Sequence, residues 1–305
     1  MDFGRIEQPE KIDFSFQTEP IGNKTRLLGY KKDQSSPKVF LGGTGWTVKE
    51  WKGNVYPKKI KADQYLEYYS QQFGTIEFNT THYRIPSHEQ VEKWYTKAQE
   101  DFRFCPKILQ GISHRAFSLR SEELMESFTD SVLLLKEKIG CAFMQLPPYF
   151  GPDKWESLQR FLINTKSPLP LAIEFRHEDW FLNPIQFNEQ INWLHQNGFH
   201  TCITDVSGRR DVLHLQVAGN IVCIRFVGCG KDQIDLPRLD KWINKIKFWL
   251  DIGLQEVYFF LHHPNNIKAA EQSLYLQKGL IAAIPELNCK GPDLNTGVQS
   301  QMKLF

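Results

Sequence analysis

Acidic, basic and amide side chains follow short apolar runs at seven places in the chain, where a buried strand would end. A carboxylate at such a place can act as a general base when burial raises its pKa, and a lysine or arginine can neutralise an oxyanion or a phosphate. The seven groups are Glu77 with Asn79, Lys107, Gln145, Glu174 with Arg176, Asp205, Arg225, and His262 with His263. They predict one site if the strand ends meet.

The chemistry of these residues suggests their roles. Arg176 and Arg225 could clamp a phosphate through bidentate hydrogen bonds, with Lys107 neutralising charge on an oxygen. Two alternatives stay open: a buried ion-pair network that only stabilises the fold, or a Schiff base on Lys107. The predicted catalytic residues are the ones that can exchange a proton or stabilise a developing charge: Glu77, Lys107, Glu174 and Asp205.

Metal binding is a further open alternative. Suitable ligand types occur at strand ends, but no His-x-x-x-His helix or similar spacing groups them in the sequence. These residues are Glu174, Asp205, His262 and His263. A divalent metal is therefore a candidate without assigned ligands, and no organic cofactor is expected.

Cations and aromatic rings lie together after the first predicted strand. Residues 49–61, KEWKGNVYPKKIK, contain five lysines and one acid. Stacking rings among phosphate-binding cations suit single-stranded or flipped nucleotides. A solvated loop, with rings that only cover the site, is the alternative. The rings in question are Trp46, Trp51, Tyr56 and Tyr83.

Eight strand-like runs alternate with helical patterns, which indicates repeated βα units around a parallel sheet. They predict a single-domain α/β fold, a closed TIM-type (β/α)8 barrel, with a doubly wound open sheet as the alternative. Active sites of such barrels lie at the carboxyl ends of the strands, where the polar groups above are found. The runs are KVFLGG to Gly43, TIEFN to Asn79, 102–108, 141–146, 171–176, 200–205, 222–228 and 256–263.

Composition limits the function class. The chain has 305 residues, 41% of them apolar, and a net charge of +2, which is typical of a globular protein and does not by itself indicate a nucleic-acid binder. No apolar window approaches 18 residues and the first thirty residues lack a signal core, so we expect a cytoplasmic protein with no membrane contact. Six cysteines without a Cys-x-x-Cys pair predict reduced, buried thiols. Residues 1–38 are expected to be an irregular extension, 39–285 the barrel and 286–305 a tail.

Five motifs in order resemble those of the YecE-like family, catalogued as domain of unknown function 72. They are GGTGWTVKEWKGNVYP, FGTIEFNTTHYRIP, WYTKAQEDFRFCPKILQGISH, MQLPPYFGP and LAIEFRHEDW. The resemblance covers about residues 39–285 and implies a TIM barrel, distantly similar in shape to apurinic endonucleases and sugar isomerases. RFVGCG and FFLHHPNN depart from many members and look like the YecE branch. The family's polar pattern falls on Trp46, Glu77, Asn79, Tyr83, Lys107, His114, Gln145, Glu174, Arg176, Asp205 and Arg225.

The last residues, QMKLF, resemble the Gln-x-x-Leu-Phe peptide by which bacterial replication and repair proteins dock on the DNA sliding clamp. Gln301, Leu304 and Phe305 carry the match, after a linker rich in Gly, Pro and Asn. An extended terminal peptide can insert its apolar residues into a pocket of a partner. The alternative is that these residues pack on the barrel itself.

Three functions remain open at the level of sequence. The first is a DNA-associated protein, docked on the clamp, that binds or hydrolyses a phosphodiester. The second is a metabolic enzyme, such as an isomerase, acting on a small phosphorylated or sugar-like substrate. The third is a non-catalytic adaptor. The oligomeric state is not predicted.

Overall fold

Eight parallel strands form the centre of the protein. The structure is a computed structural model that describes residue 4 and residues 6–30, 36–115 and 117–294. All eight predicted strands are present within these ranges. They are β1 (Lys38–Gly42), β2 (Thr75–Phe78), β3 (Arg103–Pro106), β4 (Ala142–Gln145), β5 (Leu171–Glu174), β6 (His200–Val206), β7 (Ile221–Val227) and β8 (Glu256–His262).

Helices connect most of the strands and cover the outside. Ser87 caps the helix that begins at His88 by accepting a hydrogen bond from Gln90 N, and Pro184 is the first residue of a later helix. The helices are α1 (Ile21–Leu28), α2 (Tyr65–Gln72), α3 (Thr80–Tyr83), α4 (His88–Lys97), α5 (Gln110–Ser113), α6 (Leu119–Leu133), α7 (Trp155–Thr165), α8 (Pro184–Gln196), α9 (Asp232–Asp251) and α10 (Asn266–Ala283).

The strands follow one another in the cyclic order of a barrel. Six form a parallel sheet in the order β1-β8-β7-β6-β5-β4, and β2 and β3 form a parallel pair. Backbone hydrogen bonds join the two sheets at both ends: Glu77 N donates to Gly43 O at 2.9 Å, and Ile108 N donates to Phe143 O at 2.9 Å. Gly42 allows the first of these contacts, because a Cβ there would lie 2.0 Å from Thr75 O. The predicted α/β class is confirmed.

Side chains alternate between the inside and the outside of the ring of strands. An interior cluster contains Phe143 and Phe260 together with four buried cysteines. The outward-facing side chains pack against the helices in larger apolar clusters. The interior cluster thus forms a floor, and the next inward-facing residues towards the carboxyl ends of the strands lie above it. These residues surround a space, which we call the mouth.

The N-terminal segment, expected to be irregular, contains helix α1. Within the described residues no α-helix connects β6 to β7, and α1 lies against this connection: Asn23 Nδ2 donates to Leu215 O at 2.6 Å and Arg26 Nε donates to Val217 O at 2.8 Å. Glu19, just before α1, pairs with Lys245 of α9 at 2.7 Å. The expectation of eight complete βα units therefore fails at the sixth, where the N-terminal helix packs instead.

All six cysteines are free, and five of them are buried, as predicted. In the described part of the chain, no helix combines the length and the apolar character needed to cross a membrane.

Candidate functional site

Arg225 joins two buried glutamates at the mouth. On β7 it lies between Ile224 and Phe226, which face outward, so its own side chain points inward. Its Nε and Nη2 each donate to Glu77 at 3.0 Å, and its Nη1 donates to both carboxylate oxygens of Glu174 at 3.0 and 2.9 Å. One guanidinium therefore fixes carboxylates from β2 and β5.

Amide, hydroxyl and amine groups extend this arrangement around the mouth. Gln145 Nε2 donates to both oxygens of Glu174 at 3.0 Å, while its Oε1 accepts from Lys107 Nζ at 3.0 Å. Thr204 Oγ1 donates to Glu174 Oε1 at 2.9 Å. Arg176 Nε lies 3.9 Å from Glu174 Oε1. We define the mouth network as Glu77, Lys107, Gln145, Glu174, Arg176 and Arg225.

Both glutamates of the mouth network are ionised. Burial by itself raises the pKa of Glu77, but Arg225 and His262 lower it well below its usual range. Burial likewise opposes ionisation of Glu174, and Arg225, Arg176 and Lys107 outweigh it and lower its pKa. The general-base role expected from a raised carboxylate pKa is therefore not what these two environments produce.

The basic groups near the mouth also have lowered pKa values, which for a base favours the neutral form. Burial, followed by the charge of Arg225, lowers the pKa of Lys107. Burial also lowers the pKa of His82 to about 4, with Lys107 and His114 contributing. The pKa of His114 falls for the same reasons, burial first and then Lys107 and Arg176. Histidines that are neutral at physiological pH thus stand beside a dense group of cations.

A cavity of about 540 Å³ adjoins the mouth on the side of β1, β7 and β8. Its walls include residues 43–45, Ser207 and Gly228. His262, the last residue of β8, also lines it, and its Nε2 lies 2.5 Å from Glu77 Oε2. Asn79 Nδ2 donates to the other oxygen of Glu77 at 2.9 Å. Glu77 therefore connects the mouth network to His262 in the wall of the cavity.

Asp205, predicted as a catalytic residue, lies outside this group. It follows the inward-facing Thr204 on β6, so strand alternation turns it outward to α9. There Arg238 Nη2 donates to Asp205 Oδ1 at 2.9 Å and Trp242 Nε1 donates to Oδ2 at 2.8 Å. Arg210 pairs with the same carboxylate. We call Asp205, Arg210, Asp235, Arg238 and Trp242 the outer network.

The predicted aromatic residues divide between packing and exposure. Trp46 packs against Phe78 and Trp94, with ring centroids 5.3 and 6.2 Å apart. Trp51 and Tyr56 are buried among other rings, so they are not available to stack on a base. Tyr83 is 65% exposed and remains available. The stacking surface predicted beside the lysines of 49–61 is therefore reduced to Tyr83.

Other predicted residues also lie at or near the mouth. Asn79 and Gln145 belong to the mouth as described, and the His114 ring lies 5.5 Å from the His82 ring. Among the residues that the structure describes, no three His, Cys, Asp or Glu side chains group closely enough to hold a metal ion. Gln301, Leu304 and Phe305 lie outside the described residues.

Two residues of the site, His82 and Thr204, were not assigned to it from the sequence. His82 lies in the short helix α3 after β2, in the motif FNTTHY, and its Nδ1 is 2.7 Å from Ile108 O. Thr204 was not assigned because its charged neighbour Asp205 was assigned instead. His262 was grouped with the other strand-end residues, and metal binding was the role considered for it. For Thr204, strand alternation shows only that it and Asp205 face opposite sides of the sheet, because adjacent residues of a strand point to opposite faces.

Comparisons with known proteins agree with this architecture. Residues 40–294 match the family model described as Protein of unknown function DUF72. The chain is 28% identical over 268 residues to UPF0759 protein YecE of Escherichia coli K12, covering 82% of this chain and 95% of that protein. A crystal structure of a DUF72 family protein from Enterococcus faecalis V583 superposes with a TM-score of 0.65 at 23% identity, over 79% of this chain and 95% of that one. A DUF72 family protein from Thermotoga maritima superposes with a TM-score of 0.59 at 22% identity, over 82% and 100%.

Proposed function

Because this chain belongs to the DUF72 family of proteins of unknown function, we propose its function from the chemistry of its site: the mouth binds the phosphate group of a substrate and supports acid–base chemistry on it. The observation that carries the proposal is the charge of the mouth network. Three cations, Lys107, Arg176 and Arg225, face the carboxylates of Glu77 and Glu174. Each of these five residues is at least nine-tenths buried.

The excess positive charge argues for an anionic ligand. Buried charge is costly unless an opposite charge or a hydrogen-bonding group compensates it. Arg225 is compensated by Glu77 and Glu174, and its pKa is raised because their charges outweigh the effect of burial. Lys107 is bonded to a neutral amide, and burial lowers its pKa. A phosphate beside Lys107 would supply a negative charge to compensate this amine.

The test is phosphate binding to a pair of matched lysine variants. Lys138 is a second buried lysine with a lowered pKa, but it donates to the backbone oxygens of Tyr95 and Ala98, away from the mouth. We expect Lys107→Met to weaken the binding of ribose phosphate by about 10- to 100-fold, the value of a hydrogen bond to a charged group. Lys138→Met should change it by less than about twofold. Calorimetric titration measures both, with ribose as the uncharged comparison.

Equal affinities of the two variants, or native protein that binds ribose as well as ribose phosphate, would contradict the proposal. A lowered melting temperature in both variants is expected and does not affect the comparison, since both remove a buried amine. Circular dichroism of each variant shows whether the fold is intact before titration.

The finer form of the proposal is that the phosphate belongs to a nucleic acid and that the tail docks the protein on the sliding clamp in the cytoplasm. Gln301, Leu304 and Phe305 support the docking by their match to the clamp-binding peptide, and free cysteines suit a reducing compartment. Fluorescence anisotropy with the clamp should show binding by the intact chain and none by a chain truncated after Ser300. Binding of ribose phosphate but not of an oligonucleotide would instead favour a metabolic enzyme.

A further inference from the structure

We propose that His262 is a proton-transfer residue that acts on a ligand in the adjoining cavity, with Glu77 as its positioning residue. The inference deepens the proposed function, because it rests on a phosphate held by the mouth network. It assigns the cavity to the uncharged, hydroxyl-bearing part of the same substrate.

The Glu77–His262 pair is the first support. Glu77 is held in place by Arg225 on one side and by Asn79 on the other, so its carboxylate cannot turn freely. Its Oε2 lies 2.5 Å from His262 Nε2, and because the carboxylate is ionised, Nε2 carries the proton of this hydrogen bond. A carboxylate that fixes the tautomer and orientation of an imidazole is the arrangement of general-base histidines.

The free ring nitrogen is the second support. In the described part of the chain, the hydrogen bond of the His262 ring is the one from Nε2 to Glu77, which leaves Nδ1 with a lone pair. The side chain is 21% exposed and lines the cavity. A ligand in the cavity can therefore reach the imidazole, whereas the Glu77 carboxylate behind it is fully buried.

The cavity itself indicates the class of group it would hold. Its volume of about 540 Å³ lies in the range of small-molecule sites. The hydroxyls of Thr44, Thr47 and Ser207 line it beside apolar walls, and no Lys, Arg, Asp or Glu belongs to its lining within the described ranges. Neutral hydroxyls beside apolar surface suit a sugar or nucleoside ring and do not suit a second charged group.

The proton transfer balances with water as the only co-reactant. One proton of a water molecule moves to His262 Nδ1 while the water oxygen forms a bond to the phosphorus held at Lys107 and Arg176. Glu77 stabilises the imidazolium that results. The bond from phosphorus to the leaving oxygen breaks, and that oxygen takes the proton from Nδ1. The imidazole is neutral again at the end.

The experiment uses the nitrophenyl ester of a nucleoside monophosphate, whose hydrolysis releases coloured nitrophenolate. We expect His262→Gln to lower kcat by about 100- to 1000-fold, the usual contribution of a positioned acid or base, with affinity for ribose phosphate changed by less than about twofold. His88→Gln, in an exposed residue of α4, is the control and should leave both values unchanged. Unchanged kcat in His262→Gln overturns the inference.

A second measurement keeps the inference falsifiable if this ester is not turned over. Nitrogen-15 NMR of the histidine rings should show His262 protonated at Nε2 and unprotonated at Nδ1 in mildly alkaline solution, and a shift of Nδ1 when the nucleoside monophosphate is added. Glu77→Gln should abolish the preference for this tautomer. A protonated Nδ1, or a His262 signal that the nucleotide does not move, contradicts the inference.

The two proposals fail in different ways. Loss of ribose phosphate binding in Lys107→Met, together with normal turnover in His262→Gln, removes the role of His262 and leaves the phosphate site. Absence of phosphate binding in the native protein removes both.

Discussion

Two buried acid–arginine networks lie near the same ends of the strands, one inside the ring and one outside it. Inside, Arg225 holds Glu77 and Glu174 with four hydrogen bonds. Outside, Arg238 holds Asp205 and Asp235 at 2.9 and 2.8 Å. In each network one arginine bridges two carboxylates, so this central arrangement does not distinguish them.

Their surroundings distinguish them. The guanidinium of Arg238 lies over the rings of Phe14 and Phe226, at 4.8 and 4.3 Å from their centroids, and Asp205 also accepts from Trp242. The outer network is thus closed by helix α9 and by the N-terminal segment. The mouth network adds Lys107 and Arg176 to the same arrangement, which gives three cations for two carboxylates, whereas the outer network adds Arg210, which gives two of each. A buried arginine–carboxylate pair therefore indicates an anion site only where the cations outnumber the carboxylates.

Removing either arginine should have the largest effect on stability. Arg225→Met and Arg238→Met each leave buried carboxylates without their main partner, so we expect the free energy of unfolding to fall by about 3–5 kcal/mol in each. Arg160→Met, in an exposed residue of α7, is the control and should change it by less than about 0.5 kcal/mol. Urea denaturation measures all three.

Phosphate binding should distinguish the two arginine variants, which have similar expected effects on stability. Arg225→Met should also abolish phosphate binding, because it frees Glu77 and Glu174 to repel the anion. Arg238→Met, in protein that is still folded, should bind phosphate normally. Normal phosphate binding by Arg225→Met would show that the mouth network has no more to do with ligands than the outer one.

As the pH falls, the buried histidines should lower the free energy of unfolding before the carboxylates of either network do. Burial lowers the pKa of His82, His200 and His214 to about 4, whereas an unfolded histidine has a pKa near 6.5. The unfolded chain therefore binds more protons between these values, and stability is full above pH 6.5 and falls as the pH drops to about 4. His200→Gln should reduce this fall by about 3 kcal/mol, since a shift from 6.5 to about 4 is worth that much.

The carboxylates respond at lower pH. Because the folded pKa values of Glu77, Glu174 and Asp205 are lowered, they stabilise the protein above their unfolded values and lose this contribution only as the pH falls below about 4. The free energy of unfolding, measured against pH for native protein and His200→Gln, tests the assignment. Two curves of equal slope between pH 6.5 and 4 would show that His200 does not stay neutral in the folded protein.

The smallest predicted effect is a change in phosphate affinity, and its direction follows only if the phosphate binds at the mouth network. Glu174→Gln removes a negative charge beside the proposed phosphate, so we expect tighter phosphate binding by about fivefold, or about 1 kcal/mol. Asp205→Asn removes a charge from the outer network and should leave the affinity unchanged. Weaker binding in Glu174→Gln would show that this carboxylate helps to hold the ligand.

The sequence was a good guide where one signal decided the outcome. The eight strands were predicted because β-branched and aromatic runs alternate with capped helices, and Glu77, Glu174 and Arg225 were found because charged residues are rare at buried strand ends. Asp205 was misplaced because every residue of β6 is buried, so polarity does not reveal which face is inside. Helix α1 was missed since the polar sequence IGNKTRLL has little apolar periodicity and is stabilised by distant partners, such as Leu215 and Val217.

The cavity could not have been predicted from the sequence. Its walls come from loops after four different strands, and Glu77 meets His262 although 185 residues separate them. No local pattern reports such a contact. The lysine and aromatic segment 49–61 shows the converse, because its composition suggested a stacking surface while the fold buries Trp51 and Tyr56.

The central claim is that the mouth network, and not the outer one, is an anion site. A crystal soaked in tungstate, a phosphate analogue with strong anomalous scattering, tests it most directly. We predict an anomalous peak within hydrogen-bonding distance of Lys107 Nζ and the Arg176 guanidinium in native crystals, and its loss in Lys107→Met. A mouth without tungstate, in crystals that bind the ion elsewhere, would contradict the claim.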